Sequence, residues 1–122
     1  METLILRDDR FLEHDPGFGH PENPGRLRAI HADLDARVPK GTRFDSPRLA
    51  TPGELERVHH ASHIERMAQT AAGGPCRLDV DTTTSERSYE VARLAAGSVV
   101  RAAESVVAGE ARGAFALVRP PG

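Results

Sequence analysis

The chain has 122 residues, of which 39% are hydrophobic, and a formal net charge of −2. This length predicts one domain or part of one, with a small core. Four Phe, one Tyr and no Trp are too few aromatic side chains for a stacking platform that binds single-stranded nucleic acid. The balanced charge argues against a basic face that binds DNA.

Cysteine usage and hydropathy bear on the compartment. Cys76 is the only cysteine, which excludes an internal disulfide and a Cys-based zinc cluster and agrees with a reducing compartment. The N-terminal segment has no long apolar run before its first charged residues, unlike a signal peptide. No run approaches the roughly 20 apolar residues of a membrane span. We therefore expect a soluble, cytoplasmic protein with neither nucleic acid nor membrane as a partner. Lys40 is the only lysine, and such a bias towards Arg favours a bacterial origin.

The first third of the chain predicts two strands and a helix. Thr3–Arg7 is apolar and favours a strand. A long loop rich in Pro and Gly follows to Gly25, and such loops are often functional. A helical pattern then begins at Arg26 and ends before Pro39, with apolar residues at Leu27, Ile30 and Leu34. Residues 42–46 predict a second short strand.

Two capping boxes predict two short helices. Thr51 and Glu54 stand in the required relation, with Pro52 at the first helical position. Ser62 and Glu65 repeat the pattern and predict a second cap. The second helix should end at residues 73–75.

The last third predicts a loop, a long helix and a strand. Residues 76–87 are acidic and rich in hydroxyl groups. The helix begins between Ser85 and Ser88 and stops near Gly109. Its apolar stripe comprises Val91, Leu94, Ala95, Ser98, Val99, Ala102, Val106 and Val107. The run "GAFALV" predicts a strand that is buried on both faces, as in parallel sheets.

This order of elements predicts an α/β domain in which helices cover a parallel sheet. Two or three strands have too few neighbours to hide their faces and edges. We therefore expect the fold to be incomplete, so that the rest of the domain or a second chain completes the sheet.

Histidines offer one hypothesis for metal binding. The chain has six of them, and His59 and His63 are spaced i, i+4, which can place two imidazoles on one helix face. The predicted cap at Ser62 would interrupt that geometry. The alternative is that one of these rings packs beneath the helix while the others are solvated.

Two loops hold clusters of polar residues. His14, Asp15, His20 and Glu22 crowd the first loop, where Pro21 and Pro24 restrict the backbone. Such preorganised groups suit a pocket wall, but a solvated turn is an equal alternative. Asp79 and Asp81 alternate, so in an extended segment both side chains would point the same way. They could bind a metal, orient a substrate or cap the next helix.

The stretch "FLEHDPGFGHPENPGRL" resembles the N-terminal signature of the histone deacetylase superfamily. It has His14, a short spacer and then the H-P-E-x-P-x-R-L pattern from His20 to Leu27. The form is that of class II enzymes, of bacterial histone deacetylase-like amidohydrolases and of acetylpolyamine amidohydrolase relatives. Three further segments resemble the family in order: "ATPGELERVHHASHIERM", the acidic loop with the long helix, and "GAFALVRPPG". The resemblance therefore covers nearly the whole chain.

The resemblance implies the arginase/deacetylase type of fold, an α/β/α arrangement on a parallel sheet. Residues 1–122 would be the N-terminal portion of a single deacetylase-like domain, ending just before the family's His-His pair. That pair serves as acid and base beside a catalytic Zn²⁺. The zinc ligands and the carbonyl-polarising Tyr or His come later still. We therefore expect no catalytic residue, no metal ligand and no tightly bound zinc in this chain.

The resemblance also implies a set of residues around the substrate pocket. His20, Pro21 and Glu22 would form part of its rim, and Arg26 would correspond to a buried arginine of the internal channel behind the metal. Asp81 lies near an acid that binds the substrate backbone in some relatives. The pocket floor would comprise Arg119, Pro120, Pro121 and Gly122.

The implied reaction is zinc-dependent hydrolysis of an amide in acetyl-lysine or acetylpolyamine-type substrates, by a full-length enzyme. The chain alone is expected to be inactive. The alternative is a natural short protein, either a non-catalytic binding or assembly module that pairs with a second chain, or a decayed homologue. A small His-based metal binder is a third hypothesis.

Overall fold

The computed structural model describes residues 1–121. Its strands are β1 (Thr3–Leu6), β2 (Thr42–Asp45), β3 (Cys76–Arg77), β4 (Thr83–Thr84) and β5 (Gly113–Ala116). Its α-helices are α1 (Gly25–Ala36), α2 (Pro52–Glu56), α3 (Ala61–Gln69) and α4 (Ser88–Val107), and a 3-10 helix spans Asp9–Glu13. No helix within this range is long and apolar enough to cross a membrane. Gly122 lies outside the described residues.

The main sheet is parallel and has the strand order β2-β1-β5. Ile5 on the central strand lies between Phe44 and Phe115. The strands β3 and β4 form a separate antiparallel pair. The predicted parallel α/β architecture is therefore confirmed.

Alternation along β1 divides the core into two clusters. Ile5 packs with Leu27 of α1 in one cluster, and Ile30 and Leu34 lie against it. Leu4 and Leu6 belong to the other cluster, with Ala102 of α4 packed against them. Because successive strand residues face opposite sides of a sheet, α1 covers one face and the C-terminal half of α4 covers the other. The result is a layered α/β/α arrangement.

The buried stripe of α4 differs from the prediction at its C-terminal end. Val91, Leu94, Ala95 and Ser98 are buried as expected. Three valines of the predicted stripe are instead exposed: Val99, Val106 and Val107. Ser105, seven residues after Ser98, is completely buried instead, so the buried face of α4 continues along these serines rather than along the predicted valines.

The segment 48–50 lies directly against α4 at Gly97. A Cβ atom on Gly97 would stand 1.9 Å from the Arg48 carbonyl oxygen and 2.6 Å from the Ala50 nitrogen. Ala50 N–H donates to the Arg93 carbonyl at 2.9 Å, and the Arg93 guanidinium donates back to the Ala50 carbonyl at 2.8 Å. Glycine is required here because two backbones meet without room for a side chain.

Only one of the two predicted capping boxes is formed. Glu54 N–H donates to Thr51 Oγ1 at 3.2 Å, and Thr51 N–H donates to Glu54 Oε1 at 2.8 Å. The prediction at Ser62 is wrong, since α3 begins at Ala61 with His60 as its N-cap and without a side-chain cap. The helix starts two residues earlier than a cap at Ser62 requires, so Ser62 lies inside its first turn and does not cap it.

The prediction of a strand buried on both faces over "GAFALV" is also wrong. The strand β5 covers only Gly113–Ala116 and is an outer strand of the described sheet. Phe115 is 61% exposed, whereas Leu117, just beyond the strand, is buried. The apolar run therefore contains both an exposed residue of an outer strand, Phe115, and a buried residue beyond the end of that strand, Leu117.

The predicted loop over residues 76–87 contains the β3–β4 hairpin. Residues 79–81 form bends rather than an extended segment, so the expectation that Asp79 and Asp81 point the same way is wrong. Asp81 N–H donates to Asp79 Oδ1 at 3.1 Å, and Leu78 N–H donates to the Thr82 carbonyl at 2.8 Å. The two acids therefore belong to a tight turn.

Candidate functional site

An open groove of about 630 Å³ lies beside the carboxyl end of the sheet. Its wall comes from the first loop, α3, the β3–β4 hairpin and the first half of α4. Polar lining groups include His14, His20, Glu22, Asp81 and Ser88. Apolar lining side chains include Leu55, Ile64, Met67, Leu78, Val99 and Val118. A mainly apolar groove with a few polar groups is typical of a small-molecule or peptide site.

Arg119 lies beneath the groove and is completely buried. Its guanidinium binds the Glu22 carboxylate in a bidentate manner, with Nε to Oε1 at 3.0 Å and Nη2 to Oε2 at 2.9 Å. Nη1 donates to the carbonyl oxygens of Phe11 and His14 at 2.9 and 2.7 Å. A buried guanidinium is tolerated when its charge is paired and its N–H groups have acceptors. This residue therefore fixes both ends of the first loop.

His20 joins the first loop to the β3–β4 hairpin. Its Nε2 lies 2.6 Å from the Asp81 carbonyl oxygen, and its Nδ1 lies 3.1 Å from both the backbone nitrogen and the carbonyl oxygen of Glu22. A carbonyl oxygen can only accept, so Nε2 carries a proton and donates. In a ring that carries one proton this is the Nε2–H tautomer, in which Nδ1 accepts from the Glu22 N–H.

His14 connects the first loop to the start of α4. Its Nδ1 lies 2.6 Å from Ser88 Oγ, which accepts a hydrogen bond from Ser85 N–H at 2.7 Å. His14 Nε2 is 4.0 Å from Glu22 Oε2. Burial lowers the pKa of the His14 imidazole, and the positive charge of Arg119 lowers it further. His14 is thus a neutral connector rather than a charged partner of Glu22.

The two hairpin acids are exposed at the rim of the groove. The pKa of Asp79 is lowered by hydrogen bonds, first from the Thr82 hydroxyl and then from the Asp81 backbone. Asp81 contacts His20 through its backbone carbonyl rather than its carboxylate. Its exposed carboxylate accepts only a long hydrogen bond from the Thr82 hydroxyl at 3.5 Å and can therefore meet a ligand at the mouth of the groove.

The structure brings together most of the residues that the resemblance assigns to the pocket. His20, Glu22, Asp81, Pro120 and Pro121 line the groove, with Arg119 directly behind them. Pro21 is exposed on the loop and is not part of the groove wall. Arg26 is exposed rather than buried, and its Nη2 donates to the Val118 carbonyl at 2.8 Å. The predicted position at Gly122 lies outside the described residues.

No three His, Cys, Asp or Glu side chains within residues 1–121 come together as a metal site. His59 and His63 do lie close, with ring centroids 4.9 Å apart and planes tilted by 33°. The helix does begin between them, at Ala61 rather than after Ser62, so the two rings do not share one helix face. Two imidazoles are fewer than the three protein ligands of a catalytic zinc, so the described residues do not fit that ion.

Sequence reasoning missed the groups that hold the rim in place. Ser85 and Ser88 appeared only as the start of a helix, and the Phe11 carbonyl gave no signal at all. The bond between Arg119 and Glu22 spans 97 positions of sequence, so no local pattern predicts it. The one available signal was a Ser at the predicted start of α4 together with a His in the proline-restricted loop, two side chains that can hydrogen-bond to each other.

Comparison with known proteins agrees with this fold. A model of the histone deacetylase domain matches residues 20–122. The histone deacetylase-like amidohydrolase of Pseudomonas aeruginosa is 37% identical over 98% of this chain. Histone deacetylase 15 of Arabidopsis thaliana is 37% identical over 99% of it. A crystal structure of the HDA15 HD domain matches all of the chain with a TM-score of 0.93 and 35% identity.

Fold and groove together define a layered α/β domain with a polar rim over an apolar groove. The chain belongs to the histone deacetylase family, because the domain model covers most of its length. It spans 32% of the Pseudomonas relative, 22% of the Arabidopsis relative and 36% of the solved HDA15 chain. The family also includes plant and human relatives, such as human histone deacetylase 7 at 31% identity, so membership does not indicate a bacterial source.

Proposed function

We propose that residues 1–122 form the N-terminal portion of a zinc-dependent deacetylase domain that hydrolyses acetyl-lysine or acetylpolyamine-type amides. The observation that carries the proposal is the domain match from residue 20 onward. It begins at the His20–Glu22 segment, and both residues line the groove. An extended acylated amine has an apolar stem and one polar amide, which suits an apolar groove with a few polar groups at its rim.

In this proposal the chain binds and orients the substrate, and residues outside it carry out hydrolysis. The exposed Asp81 carboxylate would accept a hydrogen bond from the substrate backbone or amine. Leu78 and Val99 would contact the alkyl stem along the groove. The described residues bring no three metal ligands together, so the zinc and the acid/base pair would have to be supplied by residues outside this set.

The test compares two polypeptides. One is the 122-residue chain, and the other is extended by the reading frame that follows residue 122. We expect the extended polypeptide to bind one zinc ion and hydrolyse an acetyl-lysine peptide, with both properties lost in a chelator. We expect the 122-residue chain to show neither. Turnover or stoichiometric zinc in the short chain, or an inactive and zinc-free extended polypeptide, would refute the proposal.

The codons after residue 122 give a separate observation. A His-His pair followed by a D-x-H motif would support the deacetylase proposal. A genuine stop codon would instead favour the assembly module, and the exposed Phe115 on an outer strand would then be its natural contact surface.

A further inference from the structure

We propose that Arg119 is a positioning residue that acts through Glu22 to hold His20 in one tautomer, and thereby joins the two loops that form the groove rim. The first of these loops contains His20, and the second is the turn of the β3–β4 hairpin. Arg119 bonds to Glu22 rather than to His20 itself, so its effect reaches His20 along a short series of hydrogen bonds. Its relevance to substrate binding rests on the proposed function, whereas the connection between the loops does not.

The first step is the immobility of Arg119. Its side chain is completely buried, and four of its N–H bonds point at acceptors between 2.7 and 3.0 Å away. A guanidinium has a planar, fixed arrangement of donors. Two acceptors are carboxylate oxygens and two are backbone carbonyls, so neither a shift nor a rotation of the side chain preserves all four bonds.

The second step is the fixed backbone at Glu22. Its carboxylate is held at both oxygens by Arg119, and its backbone lies between two prolines that restrict φ. The Glu22 backbone is consequently held against His20 Nδ1, which lies 3.1 Å from both its nitrogen and its carbonyl oxygen. Without the carboxylate anchor, this short segment would lose the contact that orients it.

The third step is the choice of tautomer. The Glu22 backbone holds the ring so that Nε2 faces the Asp81 carbonyl, and because a carbonyl oxygen only accepts, the proton of a singly protonated ring resides on Nε2. That proton is donated to the Asp81 carbonyl at 2.6 Å. The opposite tautomer could donate from Nδ1 to the Glu22 carbonyl, but it would oppose two acceptors at Nε2, which breaks the link between the loops. Because the link uses the backbone, it leaves the Asp81 carboxylate available.

Nuclear magnetic resonance of the histidine ring nitrogens tests this inference on the 122-residue chain. In ¹⁵N-histidine-labelled protein we expect His20 to show a protonated Nε2, an unprotonated Nδ1 and a slowly exchanging Nε2–H. Arg119→Lys keeps the charge but loses the fork. We expect the two His20 nitrogen shifts to move towards each other in that variant, and the Nε2–H signal to be lost.

Three further variants make the result decisive. Glu22→Gln leaves the Arg119 bonds to the Phe11 and His14 carbonyls in place, and we expect it to change His20 in the same direction if Arg119→Lys does not fold. Asp81→Asn should leave the tautomer unchanged, because the acceptor is the backbone. Arg101→Lys alters an arginine paired with Glu110 at the other end of α4 and should also leave His20 unchanged.

Several outcomes would overturn the inference. One is a wild-type spectrum in which the two His20 nitrogens are averaged. Another is a folded Glu22→Gln or Arg119→Lys variant that keeps the single Nε2–H tautomer. A third is an Asp81→Asn variant that shifts His20 as strongly as Arg119→Lys. None of these readouts involves zinc or turnover, so a failure of the proposed function would leave this result intact and the reverse also holds.

Discussion

At the scale of single residues, burial distinguishes the Arg119–Glu22 ion pair at the site from the exposed ion pairs on the surface. Arg119 has no exposed surface and binds a carboxylate that is only 22% exposed, so loss of either partner leaves a poorly solvated charge. The pair between Arg37 and Asp33 has 78% and 59% exposed side chains, and such pairs contribute little. The rim of the groove therefore depends on one arginine far more than on the chain's many surface charges.

Two buried histidines predict the pH dependence of stability. Burial is the main cause that lowers the pKa of both His14 and His31, and the His31 Nε2 has no partner within the described part of the chain. Below about pH 6.5 the unfolded chain binds more protons than the folded one. The free energy of unfolding should therefore fall as the pH drops through 6.5 towards the lower folded pKa values.

Urea unfolding at about pH 7.5 and about pH 5 measures this slope above the carboxylate range. We expect His31→Gln to flatten it and His60→Gln, which removes an exposed imidazole, to leave it unchanged. Equal stability of the wild-type chain at both pH values would contradict the prediction.

At the scale of elements, the two N-terminal boxes should respond differently to the same substitution. Thr51→Ala removes the acceptor of the Glu54 N–H bond and should destabilise the chain by about 1 kcal/mol. Ser62→Ala removes no cap and replaces Ser by a better helix former, so its effect should be near zero or slightly stabilising. Chemical denaturation compares them, and equal losses would show that Ser62 also caps α3.

The contact between α4 and residues 48–50 predicts a change opposite to helix propensity. In an unobstructed helix, Gly→Ala stabilises by about 1 kcal/mol. At Gly97 the new methyl group would stand 1.9 Å from a backbone oxygen, so we expect Gly97→Ala to destabilise by about 3 kcal/mol, at the upper range of overpacking.

Gly73→Ala, in the loop after α3, is the control for an added methyl group without a clash, because nothing lies within 4 Å of its added Cβ. Thermal or urea unfolding of both variants should show a loss at Gly97 alone. A Gly97→Ala variant as stable as the wild type would mean that α4 and residues 48–50 do not approach this closely.

At the scale of the whole molecule, local patterns predicted the elements and long-range contacts decided their environment. The spacing of Leu27, Ile30 and Leu34 predicted α1, and the Thr51 box predicted α2, because each signal lies within a few residues. The same reasoning failed at Val99 and Phe115. Their exposure depends on which elements lie opposite them, and apolar character alone does not contain that information.

The candidate site divides in the same way. The resemblance drew attention to His20, Glu22 and Arg119 as separate positions, and Glu22 and Arg119 are joined across 97 residues of sequence. Asp81 was expected to act through its carboxylate, whereas its backbone carbonyl makes the structural bond. A backbone acceptor has no sequence signature, so only the three-dimensional arrangement could identify it.

The sheet edge gives a prediction for the whole molecule. Phe115 is 61% exposed on β5, and β5 is an outer strand of the described sheet. Exposed apolar strand edges promote association between chains. We expect the 122-residue chain to self-associate with increasing concentration, and Phe115→Lys to weaken that association by about tenfold, equivalent to about 1.4 kcal/mol. Sedimentation velocity over a concentration series measures the effect.

Val107→Lys is the control for this prediction. It changes a residue that is 89% exposed at the end of α4, away from any strand, and should leave association unchanged. Equal effects of the two substitutions would indicate non-specific hydrophobic association. A wild-type chain that stays monomeric throughout the series would contradict the prediction.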